Sequence, residues 1–483
     1  LGENSTVSCC EILNNLIFPA HEQHHNTSFL IASLVKGQSN MAAGATVGSN
    51  HTSRAPDGEI EAGRGFWPGL CASLKHSSRF ASFCLIAKGD YKYELDIRYP
   101  FALIDNDEAH DRLTIAPGWW WYANAYALMR NEHKFKERDR RHDKSIAYEY
   151  SPFAPDTSAE ILEALALLEQ QTGKSFFLHR ARTGTVPDLP NAEILEKLER
   201  LWLAWASEAT NGSSETTESK TAGNDPAAMS EYERAAGALL LSAFHDPLPF
   251  EVLAEHAEHS SRKVVIIKPC TAWKSYREML TWFAGFTIVP YLITAPMEHD
   301  PIDWLASSMR TIPCTPAMFA WENLGGFLVR RDRVEALIAA VESREIETWD
   351  ALHDRYRQLS REYESDRLQS AWCLLGYLSQ PVEEAGRYKP GMTTFRTPTR
   401  QDILNILQHL APLGWQVADR VYESRARDWQ NPFRRNTFRN EAEMLAVHGR
   451  VEDNSFIRHM RKEAENLEDQ VASILRRCGL LAR

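Results

Sequence analysis

The chain has 483 residues, 43% hydrophobic and 25% charged, the make-up of a globular protein of about two to four domains. Its formal net charge of −11 excludes nucleic-acid binding by bulk electrostatics. The eight cysteines (Cys9, Cys10, Cys71, Cys84, Cys270, Cys314, Cys373 and Cys478) are scattered without a CxxC pair, which favours reduced thiols and a cytoplasmic location over a disulfide framework or a structural zinc site.

In chain order, residues 1–104 come first. Phe29, Val35, Met41 and Val47 stand six residues apart, and Ser33, Ser39 and Ala45 follow the first three at a distance of four. A period of six is neither the 3.6 of a helix nor the 2 of a plain strand. It is the hexapeptide signature of a parallel β-helix, in which each short strand gives a residue to the core and three hexads complete a turn. The same spacing joins Leu1, Val7 and Leu13, and later Ala62, Pro68, Leu74, Phe80 and Ile86. It predicts a left-handed parallel β-helix of about four to five coils over residues 1–104. Leu1 already lies inside a hexad and no initiating Met precedes it, so earlier coils are expected outside this sequence. Pro19–Ser28 and the run SRAPDGEIE after Thr52 read as loops pushed out of the coils.

Residues 105–155 read as a strap with a short helix near 122–131. Trp119, Trp120 and Trp121 are expected to fill an interface. The basic run KFKERDRRHDK, residues 134–144, is either a solvated helix face or an anion clamp. Residues 156–206 have helical apolar spacing, residues 207–230 form a polar linker or long loop, and 231–483 is mainly helical. The clearest helices there are 231–244, 332–344, 348–367, 400–410, 418–427 and 454–478. The uncharged run Met279–Met297 nears the length of a bilayer span, but Pro290 and Pro296 interrupt it, so it is expected to be buried core and no membrane partner is expected. The fold class predicted is mixed β and α, a left-handed parallel β-helix of hexapeptide repeats followed by a mainly α-helical C-terminal region.

The repeat breaks at His51, one coil after Ser33. An imidazole oriented by a carboxylate is the usual general base near neutral pH, so His51 with Asp57 or Glu59 is the first catalytic candidate and His25 the second. The competing reading makes His51 a cap on the last regular coil. Asn26, Asn40, Asn50, Arg54, Arg64, Trp67 and Arg79 are the candidate substrate-binding residues, the arginines because a guanidinium fits phosphate and carboxylate. His25, His51 and His76 lie 26 and 25 residues apart, but His76 falls at a different hexad position from His51, so no metal is expected. No GxGxxG, Walker-type loop, GxSxG or HExxH occurs.

The stretches HHNTSFLIA, GQSNMAAGATVGSNHTSRAPDGEIEAGRGFWPGL and KHSSRFASF, with the Pro-Phe of RYPFALI and ERDRR, resemble a bacterial family of large left-handed β-helix proteins. That family is a domain of unknown function found in Bacteroidetes and spirochaetes. The resemblance implies a β-helix with a helical C-terminal part and no particular activity. Hexapeptide coils also occur in acyltransferases and sugar-nucleotide transferases, an analogy at the level of fold. The expected function is therefore an acyl or nucleotidyl transferase acting on a sugar or sugar nucleotide, with a histidine base on an extruded loop. The cofactor is left open, with acyl-CoA or a sugar nucleotide as the candidate substrate. The alternative is a non-catalytic oligomeric scaffold or binding protein. A small-molecule substrate, no nucleic acid and a homo-oligomer formed through the β-helix complete the expectation.

Overall fold

Short strands fill the first part of the chain, where β-branched and small residues alternate with Gly, Asn and Ser turns. The computed structural model describes residues 1–48, 58–184, 191–211, 226–380 and 395–481. Glu11–Leu13, Phe29–Ile31, Thr46–Val47, Ala72–Leu74 and Gly89–Tyr91 form a five-stranded sheet in which every neighbour is parallel. Leu16–Ile17, Ser33–Val35, Ile60–Ala62, Arg79–Phe80 and Asp96–Ile97 form a second. A six-stranded sheet begins with Trp67–Pro68, Leu85–Ile86 and Leu103–Asp107 in parallel. Arg112–Ala116 then returns antiparallel, and Lys263–Ile266 and Val252–Leu253 are added from much later in the chain.

The fold is thus a mixed α/β arrangement of several parallel sheets with a helical C-terminal part. This corrects the expected left-handed parallel β-helix of hexapeptide repeats. Glu11 does face Phe29 and Leu85 faces Leu103, each 18 residues on, but Phe29 faces Thr46 after 17 and Ser33 faces Ile60 after 27. The six-stranded sheet is completed by an antiparallel return and by strands from 252–266 instead of by further repeats. A local period fixes which residues point inward; it does not fix how sheets close or what continues them.

Inward pointing itself is clear. Val35, Met41, Val47, Leu74 and Ile86 are buried, and so are Ser33, Ser39, Ala45 and Ala72. Leu1, Val7 and Leu13 are exposed. Within Pro19–Ser28, expected to be loop, Glu22–Gln23 is a strand paired with Thr6–Val7, and only residues 24–27 are exposed. Buried His21 lies 2.8 Å from Ser39 Oγ and 3.1 Å from Gln23 Oε1, and burial pushes its pKa below the ordinary imidazole value.

The helices are α1 (Trp119–Ala123), α2 (Ala125–Glu137), α3 (Pro155–Thr183), α4 (Ala192–Asn211), α5 (Pro226–Ala243), α6 (Pro269–Thr294) and α7 (Pro301–Met309). They continue with α8 (Arg331–Glu342), α9 (Trp349–Leu378), α10 (Arg400–Gln430), α11 (Pro432–Arg435), α12 (Glu441–His448) and α13 (Ser455–Arg477). The segments expected at 400–410 and 418–427 are one helix, α10, with Pro412 inside it. Most of Met279–Met297 lies in the second half of α6, which is uncharged and largely buried. Among the described residues, no helix is long and apolar enough to cross a membrane. Trp120 stacks on Trp67 with ring centroids 5.5 Å apart, and Trp121 Nε1 donates to Glu278 Oε2 at 2.6 Å, so the tryptophan run joins sheet to helices. The basic run meets acids of its own chain: Lys134 donates to Glu22 at 2.6 Å and Arg141 to Asp139 at 2.8 Å. One apolar cluster extends from Ile17 to Ile474, giving sheets and helices a common core.

Candidate functional site

A cavity in which polar and aromatic side chains meet lies mainly among the helices. Its volume is about 330 Å³, within the range of small-ligand sites. Three kinds of sequence build it. The uncharged second half of α6 contributes Trp282, Phe283 and Phe286, with the Trp282 and Phe286 rings 4.2 Å apart. The amphipathic α13 turns Phe456, Met460, Ala464 and Leu467 inward at helical spacing. Asn454 caps this helix by accepting from the Phe456 and Ile457 amides. The α2 face contributes Met129, Glu132, His133 and Lys136, and the segment before α3 contributes Glu149, Ser151 and Phe153.

The polar groups differ in how far they are already engaged. Glu149 accepts from the Tyr363 hydroxyl and from the Ser151 amide, the latter at 2.7 Å. Burial, then the Glu149 charge, holds the Tyr363 hydroxyl well above its ordinary pKa, so it stays a donor. Glu132 accepts from Lys136 at 2.6 Å and from the Ser151 hydroxyl at 3.3 Å. Arg367, on α9, makes no hydrogen bond with a described residue. Among the described residues, its nearest carboxylate oxygen is Glu364 Oε2 at 3.8 Å, beyond hydrogen-bonding range. Its Nε is fully buried without a partner among the described residues. Burial pulls its pKa down, but Tyr363, Glu149, Glu364 and Glu132 outweigh that and keep it charged.

Two imidazoles meet at the same cavity. The His133 and His459 ring centroids are 5.0 Å apart, and the Phe456 ring lies 5.5 Å from His133. His133 Nε2 is 3.1 Å from Glu137 Oε1 on the next helical turn. This is an ion-pair contact on the outer side of α2, without the geometry of a hydrogen bond, and it places a negative charge beside the ring.

An uncharacterized protein of Treponema pallidum (strain Nichols) is 37% identical to this chain over 485 residues. The likeness is to a spirochaete protein. The alignment covers 99% of this chain and 55% of the Treponema protein, so the chain spans about half the length of the relative. No known family's sequence profile matches the chain, and no solved structure matches it. The expected membership of a left-handed β-helix family is corrected by these findings together with the mixed sheet topology.

The residues expected to form the site do not converge. His51, Asp57, Asn50 and Arg54 lie outside the described residues. His25 and Asn26 are exposed on a turn, where the His25 and His24 rings lie with centroids 4.4 Å apart and Asn26 Oδ1 accepts from the Thr27 amide. Glu59 is exposed, and Arg79 is exposed with Glu61 at 4.0 Å. Asn40 and Trp67 share a recess of only about 20 Å³ with Glu22 and Trp120, too small for a sugar nucleotide. Arg64 is buried and fully engaged: it donates to both oxygens of Asp156 and to the Ser151 carbonyl, so it is not available to a substrate. Among the described residues, no group of three or more His, Cys, Asp and Glu side chains is placed to hold a metal. All eight cysteines are unbridged.

Sequence reasoning missed the cavity because its members are ordinary helix residues. The one available signal was the pair of histidines on amphipathic faces, His133 in α2 and His459 in α13, which local spacing alone does not relate.

Proposed function

We propose that the cavity between α2, α6, α9 and α13 is the working site and that the protein is a group-transfer enzyme acting on a small molecule. His133, with Glu137 beside it, takes the proton from the attacking hydroxyl or amine as its bond to the transferred acyl or nucleotidyl group forms and the bond to the donor breaks, and His459 beside it delivers a proton to the departing thiolate or phosphate. The observation that carries the reading is the contact of two imidazoles, one with its own carboxylate, on a cavity of ligand size walled by Trp282 and Phe286. The aromatic wall excludes water and gives a planar or acyl body a surface to pack on. Acyl and nucleotidyl transfer to a sugar remain the leading reaction classes for such a base.

The test is a thermal-shift screen of acyl-CoAs and sugar nucleotides, followed by turnover assays of each stabilising pair. A true ligand at one hundred times its Kd stabilises the fold by about 2.7 kcal/mol. His133→Gln should retain that stabilisation and lose about 100- to 10,000-fold in turnover. Absence of any stabilising compound, or undiminished turnover in His133→Gln, removes the reading.

A further inference from the structure

Arg367 is out of keeping with its surroundings. Arg64 is matched by both oxygens of Asp156, and other arginines with a buried nitrogen that lacks a partner among the described residues still donate through another one: Arg277 to the Leu378 carbonyl, Arg333 to Glu362 and Asp366, and Arg477 to the Ala295 and Pro296 carbonyls. Arg367 instead lies over the Phe283 ring, 5.8 Å from its centroid, with its Nε buried and no described residue accepting from the guanidinium. A buried guanidinium nitrogen without an acceptor is a desolvated donor left unsatisfied, which destabilises an otherwise finished fold. The carboxylates that share the cavity do not remove that cost. Glu149 is occupied by Tyr363 and Ser151, Glu132 by Lys136 and Ser151, and Glu463 lies on α13 with Asn466 Nδ2 at 3.5 Å. The same cavity carries an apolar wall of Trp282, Phe286, Met129 and Leu467.

We infer that the site, if it is the working site proposed above, recognises a small molecule that joins a two-oxygen anion, a carboxylate or a phosphate, to a planar or apolar body. Arg367 receives the anion in a forked pair of hydrogen bonds, because a guanidinium offers two parallel donors that match two oxygens. Trp282 and Phe286 receive the body. Lys136 stays with Glu132 and balances its charge, so the added anion is met by Arg367 itself. His133 and His459 lie on the rim, where the reacting group of the ligand would stand.

The experiment is isothermal titration calorimetry of the full chain with four probes: inorganic phosphate, phenyl phosphate, 3-phenylpropionate and the uncharged 3-phenylpropanol. Phenyl phosphate or 3-phenylpropionate should bind at least 10-fold more tightly than the alcohol and than inorganic phosphate. Arg367→Gln should lose at least 10-fold for the anionic probes and nothing for the alcohol. Arg367→Lys keeps the charge without the fork; it should lose several-fold and guards against a folding defect in the glutamine variant. Phosphate-only or carboxylate-only binding identifies the source of the anion, and either supports the inference. Equal binding of acid and alcohol, or anion binding that survives Arg367→Gln, overturns it while leaving the cavity as a binding site. If Trp282→Ala leaves phenyl phosphate binding unchanged although Arg367→Gln abolishes it, the apolar half of the inference falls. If no probe binds and compounds from the thermal-shift screen bind Arg367→Gln as well as wild type, the anion role falls even though the working site stands.

Discussion

Arg64 and Asp156, 92 residues apart in sequence, are joined by two parallel hydrogen bonds of 2.7 and 2.8 Å in a buried setting. The guanidinium also donates to the Ser151 carbonyl at 3.0 Å and lies 5.5 Å from the centre of the Phe83 ring. This pair ties the sheets to the first turn of α3. Gln38 extends it, with its amide nitrogen donating to the Glu149 carbonyl, and so reaches the wall of the cavity.

Removing one partner of such a pair strands a buried charge. Arg64→Met or Asp156→Asn should therefore destabilise the protein by about 3–5 kcal/mol in urea unfolding. The double variant Arg64→Met with Asp156→Leu should recover much of the loss, since an apolar pair of similar volume spares both desolvation costs. Additive losses in the double variant would show that the pair is not coupled.

Glu160 sits one turn further along α3, half-buried, accepting from the Ser82 amide at 2.9 Å and the Ser82 hydroxyl at 3.0 Å. Burial, with the Asp156 charge second, pushes its carboxyl up to about 7. The folded protein thus holds this proton more tightly than the unfolded chain does. Below about pH 4.5 both states are protonated and nothing is lost. As pH rises towards 7 the unfolded state ionises first and stability falls, by at most about 3 kcal/mol once both are ionised. Glu160→Gln lacks that penalty, so its stability relative to wild type should rise between pH 4.5 and pH 8. A constant difference across that window would count against the assignment.

Gly173 of α3 and Gly237 of α5 are reciprocal. A Cβ on Gly173 would lie 1.8 Å from the Glu233 carbonyl oxygen, and one on Gly237 would lie 1.8 Å from that of Glu169. In an open helix Gly→Ala gains about 1 kcal/mol. Here the two backbones must separate to admit a methyl group, so Gly173→Ala and Gly237→Ala should each lower stability by about 1–3 kcal/mol. Thermal unfolding of the two variants decides the sign.

Much of the local structure was legible in the sequence. Val35, Met41, Val47, Leu74 and Ile86 announced their inward positions through the six-residue spacing, and all are buried. The helical period located α8 and α13 to within a few residues. The site was not legible. Arg64, Asn40 and Trp67 had the right chemistry for a substrate but are engaged by Asp156, by a narrow recess and by Trp120. His133, His459 and Arg367 had no spacing to connect them.

What the sequence by itself determined is what depends on neighbours in the chain: which residues face inward, where helices run, and that no long uninterrupted apolar span exists. Sterics and side-chain alternation act over a few residues, so a local period is enough to reveal them. Only the tertiary structure decided how the third sheet is completed by strands from residues 252–266, which partner Arg64 finds, and that α2, α6, α9 and α13 enclose a cavity. Those outcomes depend on packing and on the pairing of buried charges between distant segments, and the free energy of such contacts is set by which surfaces meet and not by the order of residues along either one.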